Sequence, residues 1–144
     1  MNMRSFFYFI VIISVVLVIT ACSKVGTSEE EDINAIDQND DVFPVINATK
    51  PTINQVYRSG DSIIVEGNVT DDKKLYKGKV QIKNDANSSV VAENYYETHF
   101  LTAMNFRLAY QAIVNTSTDF TVLVEFQDHG ANTSTTTIKV KVNL

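Results

Sequence analysis

The ten residues DFTVLVEFQD, positions 119–128, restrict the fold more tightly than any other segment of the 144-residue chain. Phe120, Val122, Val124 and Phe126 recur with a period of two, so an extended strand gathers them on one face and turns Thr121, Glu125 and Gln127 to the other. A helix would scatter the same residues around its circumference. A one-residue slip would move all four apolar side chains into water. At about 1.5–3 kcal/mol for each fully buried side chain, one register is strongly preferred.

The same period recurs along the chain from residue 61 onward. In TTTIKVKVNL, Ile138, Val140 and Val142 alternate with Lys139 and Lys141, which form a solvated, edge-protecting face. DSIIVEGNVT alternates Ile63, Val65 and Val69, with Gly67 marking a bulge or a close backbone approach. LYKGKVQIKN sets Tyr76, Val80 and Ile82 against Lys77, Lys79 and Lys83, and Asp71-Asp72-Lys73-Lys74 forms the turn before it. Residues 89–114 are compatible with a helical turn, but two strands fit better, the second placing Phe106, Leu108, Tyr110 and Ala112 on one face. With TINQVY as the first strand the count is about seven, which predicts an all-β, immunoglobulin-like antiparallel β-sandwich over residues 45–144. No Cys and Trp pattern of the antibody type is present.

The N-terminal third has a different organisation. Arg4 precedes an apolar run over residues 6–19, and Ile19-Thr20-Ala21-Cys22 resembles a bacterial lipobox, in which an aliphatic and two small residues precede a cysteine that is lipidated after cleavage. Residues 1–21 are therefore expected to be a lipoprotein signal peptide, with an uncleaved membrane anchor as the competing reading. Cys22 is the only cysteine, so only here can a thioether-linked lipid form. One acyl chain binds a membrane marginally and several hold it almost permanently. The mature chain then lacks any thiol or disulfide, and its stability must come from packing. Residues 22–44 are expected to form a flexible acidic linker, because residues 23–44 carry seven acids against one lysine and few apolar side chains. Within it, Ser28, Glu29, Glu30 and Glu31 resemble the acidic export signal of surface lipoproteins in Bacteroidota-type bacteria, and equally read as a solvated charge run.

Around residues 45–144, Pro51 precedes the first strand and Gly60 the second; Asp71, Asp72 and Leu75 follow the second, and Asp128, Gly130 and Asn132 follow the sixth. This pattern resembles the small immunoglobulin-like or cadherin-like domains of Bacteroidota lipoproteins. The resemblance implies that fold and an outer-membrane location, and brings no common activity. The aspartate turn of that family has glycine immediately before asparagine, where this chain has Ala131.

Composition and motifs narrow the function. Without residues 1–21 the chain has 11 basic against 17 acidic side chains, a charge of −6, which disfavours nucleic acid as a partner. His99 and His129 lie in unrelated contexts without metal-site spacing, and no nucleophile elbow or phosphate loop occurs, so no catalytic residue and no enzymatic activity is expected. Asp71, Asp72 and Asp128 are candidate calcium ligands if the loops converge, since calcium takes about 6–8 oxygens; turn-forming aspartates are the competing reading, and no other cofactor is expected. Tyr95, Tyr96, Phe100, Phe106 and Tyr110 are expected mainly as core residues, with a stacking platform as the alternative; the platform requires Tyr95 or Tyr96 to be exposed, and burial of both would remove it. The expected function is a non-catalytic, lipid-anchored envelope protein that binds another protein or a glycan at the cell surface. The alternative is an accessory subunit of an envelope assembly such as a glycan-uptake system, facing the periplasm.

Overall fold

Eight strands build the fold: β1 (Val45–Lys50), β2 (Val56–Arg58), β3 (Ser62–Thr70), β4 (Leu75–Asn84), β5 (Val90–Glu97), β6 (Ala103–Gln111), β7 (Thr118–Asp128) and β8 (Thr133–Asn143). The computed structural model describes residues 32–144, and no helix occurs among them. Cys22, the Ile19, Thr20 and Ala21 before it and the stretch from Ser28 to Glu31 lie outside the described residues.

The strands form two sheets, ordered β1-β3-β6 and β2-β8-β7-β4-β5. The chain crosses between the sheets at β1 to β2, β2 to β3, β3 to β4, β5 to β6 and β6 to β7, as expected of an immunoglobulin-like sandwich. The strand beyond the expected seven is VINATK, β1, which pairs antiparallel with β3. TINQVY contributes only the three residues of β2, which runs parallel to β8; every other pairing is antiparallel. Between β1 and β2 the chain turns through Asn54, which adopts φ 59°.

β7 lies between β4 and β8. Phe120, Val122, Val124 and Phe126 are all buried, facing Ile63, Val65, Phe106 and Leu108 of the other sheet, while Lys139 and Lys141 on β8 are exposed. Gly67 is a close approach: a Cβ there would stand 2.3 Å from the Asn47 carbonyl oxygen and 2.5 Å from Cζ of Phe106. Where β5 and β6 meet without pairing, Tyr96 closes the gap. Its hydroxyl donates to the Arg107 carbonyl (2.9 Å) and accepts from the Arg107 amide (3.1 Å), and Asn94 Nδ2 adds a bond to the same carbonyl (3.1 Å). These bonds occupy an edge position that would otherwise offer free backbone groups.

The compact unit begins at Ile33. Where composition led us to expect a flexible linker through residue 44, residues 33–44 form a strap held against one end of the sandwich. The Asp37 amide donates to the His129 carbonyl (2.8 Å), Lys73 Nζ to the Asn39 carbonyl (2.6 Å), and Asn132 Nδ2 to the carbonyls of Asp40 (2.9 Å) and Val42 (3.3 Å). Backbone hydrogen bonds and polar side chains hold this segment, so its low apolar content does not prevent docking.

Candidate functional site

The strap, the β3–β4 turn and the β7–β8 turn meet at one end of the sandwich and carry most of its unusual chemistry. Asp71 and Asp72 come from the first turn, Asp128 from the end of β7, and Asp40 from the strap. Asp40, Asp71 and Asp72 each bring a carboxylate oxygen within 4.8 Å of the other two. Of the expected trio, Asp71 and Asp72 therefore converge, and Asp40 completes the group. Asp128 is committed elsewhere: fully buried, it accepts from the Asn132 amide (2.8 Å) and from Asn132 Nδ2 (2.9 Å). This bracket closes the turn despite Ala131, which adopts a left-handed φ of 66°.

Electrostatics oppose this gathering of acids. Burial pushes the Asp71 carboxyl above its ordinary range, against a hydrogen bond from the Lys73 amide, and the charges of Asp128, Asp40 and Asp72 push it further in the same direction. Asp40 is 6% exposed; its Oδ2 and the Oδ1 of Asp71 are sealed from solvent without a hydrogen-bond partner. The neighbouring bases are engaged elsewhere. Lys73 pairs with Asp37 (3.4 Å), and Lys74 Nζ lies 4.9 Å from the centre of the Phe100 ring.

Beside the acids, the two histidines come together although nothing in their sequence contexts relates them. Their ring centres are 5.5 Å apart, and Tyr76 meets both edge-on at 4.9 and 5.1 Å. His99 follows β5 and His129 follows β7, so the pairing of β4 with both strands creates the contact. His129 Nδ1 lies 3.2 Å from the Ala35 carbonyl oxygen, and the Tyr76 hydroxyl donates to Asn34 Oδ1 (3.3 Å). The nest is thus a further clamp on the strap.

A second surface lies on the outer face of the five-stranded sheet. Lys77, Lys79, Tyr95, Glu97, Glu125, Gln127 and Thr133 line a shallow groove of about 360 Å³. Tyr95 is 68% exposed, with its hydroxyl donating to Glu93 (3.2 Å). The other aromatic candidates disperse: Phe106 enters the core, Tyr110 packs on Phe120, Tyr96 seals the sheet edge, and Phe100 joins the histidine nest.

No protein-family model and no curated protein matches the chain. Among solved structures, the chain is similar to the fibronectin(III)-like modules of Clostridium thermocellum CbhA, at 11% identity and a TM-score of 0.44, over 69% of this chain and 96% of that one. It is also similar to OgpA from Akkermansia muciniphila, at 15% identity and a TM-score of 0.46, over 72% of this chain and 30% of OgpA. Murine CRIg matches at 8% identity and a TM-score of 0.40, over 71% of this chain and 98% of that one.

Proposed function

We propose that the protein is a non-catalytic binding module of the bacterial envelope, anchored through lipidated Cys22 to the outer membrane and facing the cell exterior. The observation that carries the binding role is Tyr95, an exposed aromatic on the outer face of β5, at the edge of the larger sheet. A tyrosine ring offers an apolar face to the C–H side of a sugar, or to an apolar side chain, while its hydroxyl stays wet. Lys77, Lys79, Glu97, Glu125 and Gln127 surround it with donors and acceptors. A shallow groove of this composition suits an extended polar polymer better than an enclosed small molecule. The reading is a surface glycan, gripped by stacking on Tyr95 and by hydrogen bonds along the groove.

The test is binding of the full chain to immobilised polysaccharide arrays, with Tyr95→Ala beside the wild type. Loss of a central aromatic contact typically costs at least about 2 kcal/mol, so the variant should bind about 30-fold more weakly. Equal affinity for both proteins, or no retained polysaccharide, would remove the groove as the binding face. Retention on protein arrays alone, with the same sensitivity to Tyr95→Ala, would assign the groove to a protein partner and refute the glycan.

A further inference from the structure

We propose that Asp40, Asp71 and Asp72 form a calcium site that ties the strap to the β3–β4 turn. Two observations carry it. The three side chains come from two segments far apart in sequence, yet their carboxylate oxygens lie within 4.8 Å of one another. Independently, Asp40 is 6% exposed and is turned into that group, while its Oδ2 has no hydrogen-bond donor; Oδ1 of Asp71 is equally sealed and unpartnered.

A buried carboxylate oxygen without a donor carries a large desolvation cost, and adjacent like charges increase it. The local bases do not relieve it: Lys73 Nζ is directed to Asp37 and to the Asn39 carbonyl. A cation bound between the carboxylates would offset both the desolvation and the repulsion among them. The donor set selects the ion. Three carboxylates supply only hard oxygens, which suits calcium or magnesium and not a soft metal. Calcium accepts irregular sets of about 6–8 oxygens, some bidentate and some from water, whereas magnesium demands a near-ideal octahedron. An exposed Asp72 beside a buried Asp40 leaves one side of the site open to water, which favours calcium.

The site has a mechanical consequence. Asp40 belongs to the segment through which the chain enters the sandwich, so an ion shared with Asp71 and Asp72 fastens that segment to the domain end. The Asn132 bracket holds the Asp40 backbone from the other side. This inference does not depend on the glycan reading of the groove.

The test uses the full chain in detergent micelles, titrated calorimetrically with calcium chloride and separately with magnesium chloride. We expect one calcium per chain, at least tenfold weaker magnesium binding, and a melting temperature about 10 °C higher at 100 times the calcium Kd. Amide hydrogen exchange at Asp37 and Asp40 should slow on adding calcium. Asp40→Asn and Asp71→Asn should each weaken calcium binding at least tenfold. Because each variant also removes a repelling charge, it should fold without calcium and melt no lower than the calcium-free wild type. Absence of heat and of any thermal shift with calcium would overturn the site. Wild-type affinity in Asp40→Asn would equally overturn it, by placing the ion elsewhere.

Discussion

Gly78→Ala is expected to destabilise the domain by about 3 kcal/mol, with no loss of polar contact. Gly78 is on β4 directly beneath Phe126 of β7, its cross-strand partner. A Cβ at this position would lie 2.1 Å from Cε1 of the Phe126 ring and 2.2 Å from Cδ1. The ring has little room to yield, being fully buried with Phe106 at 5.6 Å and Tyr96 at 5.9 Å. Removing the ring instead, in Phe126→Ala, is expected to cost about 3–5 kcal/mol through lost burial and the cavity left behind. The two effects share one volume, so they should not add. With Phe126 already alanine, the new methyl of Gly78→Ala enters vacated space, and the double variant should recover about 2 kcal/mol relative to the sum of the single costs. Urea denaturation of the three variants measures this coupling directly. Additive costs would show that the ring moves aside and that the two strands are not locked by this contact.

Asp128→Ala is expected to cost about 2–3 kcal/mol and to loosen the strap as well as the turn. The buried carboxylate accepts two hydrogen bonds from Asn132, at 2.8 and 2.9 Å, and bonds to a charged acceptor contribute about 1.5–3 kcal/mol each. Part of that loss is offset by relief of the repulsion between Asp128 and Asp71. Asn132 Nδ2 also donates to the Asp40 and Val42 carbonyls, so a released Asn132 withdraws two supports from the strap. Asp128→Asn keeps one acceptor for the Asn132 amide but sets two amide groups against each other, and should cost about half as much by the same reckoning. Thermal unfolding gives the cost, and faster amide exchange at Asp37 and Asp40 reports the loosened strap. A cost below about 1 kcal/mol for Asp128→Ala would mean that Asn132 finds other partners and that the bracket is dispensable.

The parts of this fold that were legible in the sequence are those where one face of a strand is buried. β7 and β8 alternate strictly because Phe120 to Phe126 and Ile138 to Val142 face the core while their neighbours face water. β1 was not legible as a separate strand. Only Ile46 and Ala48 pack against the core from it, and its first residue, Val45, is exposed. The strap escaped for a related reason: acidic composition reports the cost of burying surface, whereas residues 33–44 are held by backbone and amide hydrogen bonds that leave no periodic signature. Asp71 and Asp72 stood out because they occupy a turn between two clear strands. Asp40 did not, since in sequence it is one acid among seven in a charged run. Gly67 was legible as a close approach, while Gly78 gave no warning of the ring above it. The meeting of His99 with His129 follows from strand order, which neither histidine's neighbours encode.

The proposed anchoring of this sandwich in the bacterial envelope is to be tested by the intact mass of the protein extracted from bacterial membranes, with protease shaving of whole cells in parallel. A lipid-anchored surface module predicts a chain that begins at Cys22, carries the added mass of acyl chains and disappears when intact cells are shaved. Several chains at about 0.8 kcal/mol per buried CH₂ would make the attachment effectively permanent. An unmodified chain still beginning at Met1 would rule out lipidation at Cys22 and make the apolar run a membrane anchor. A lipidated chain that survives shaving would contradict the surface assignment and turn the domain toward the periplasm.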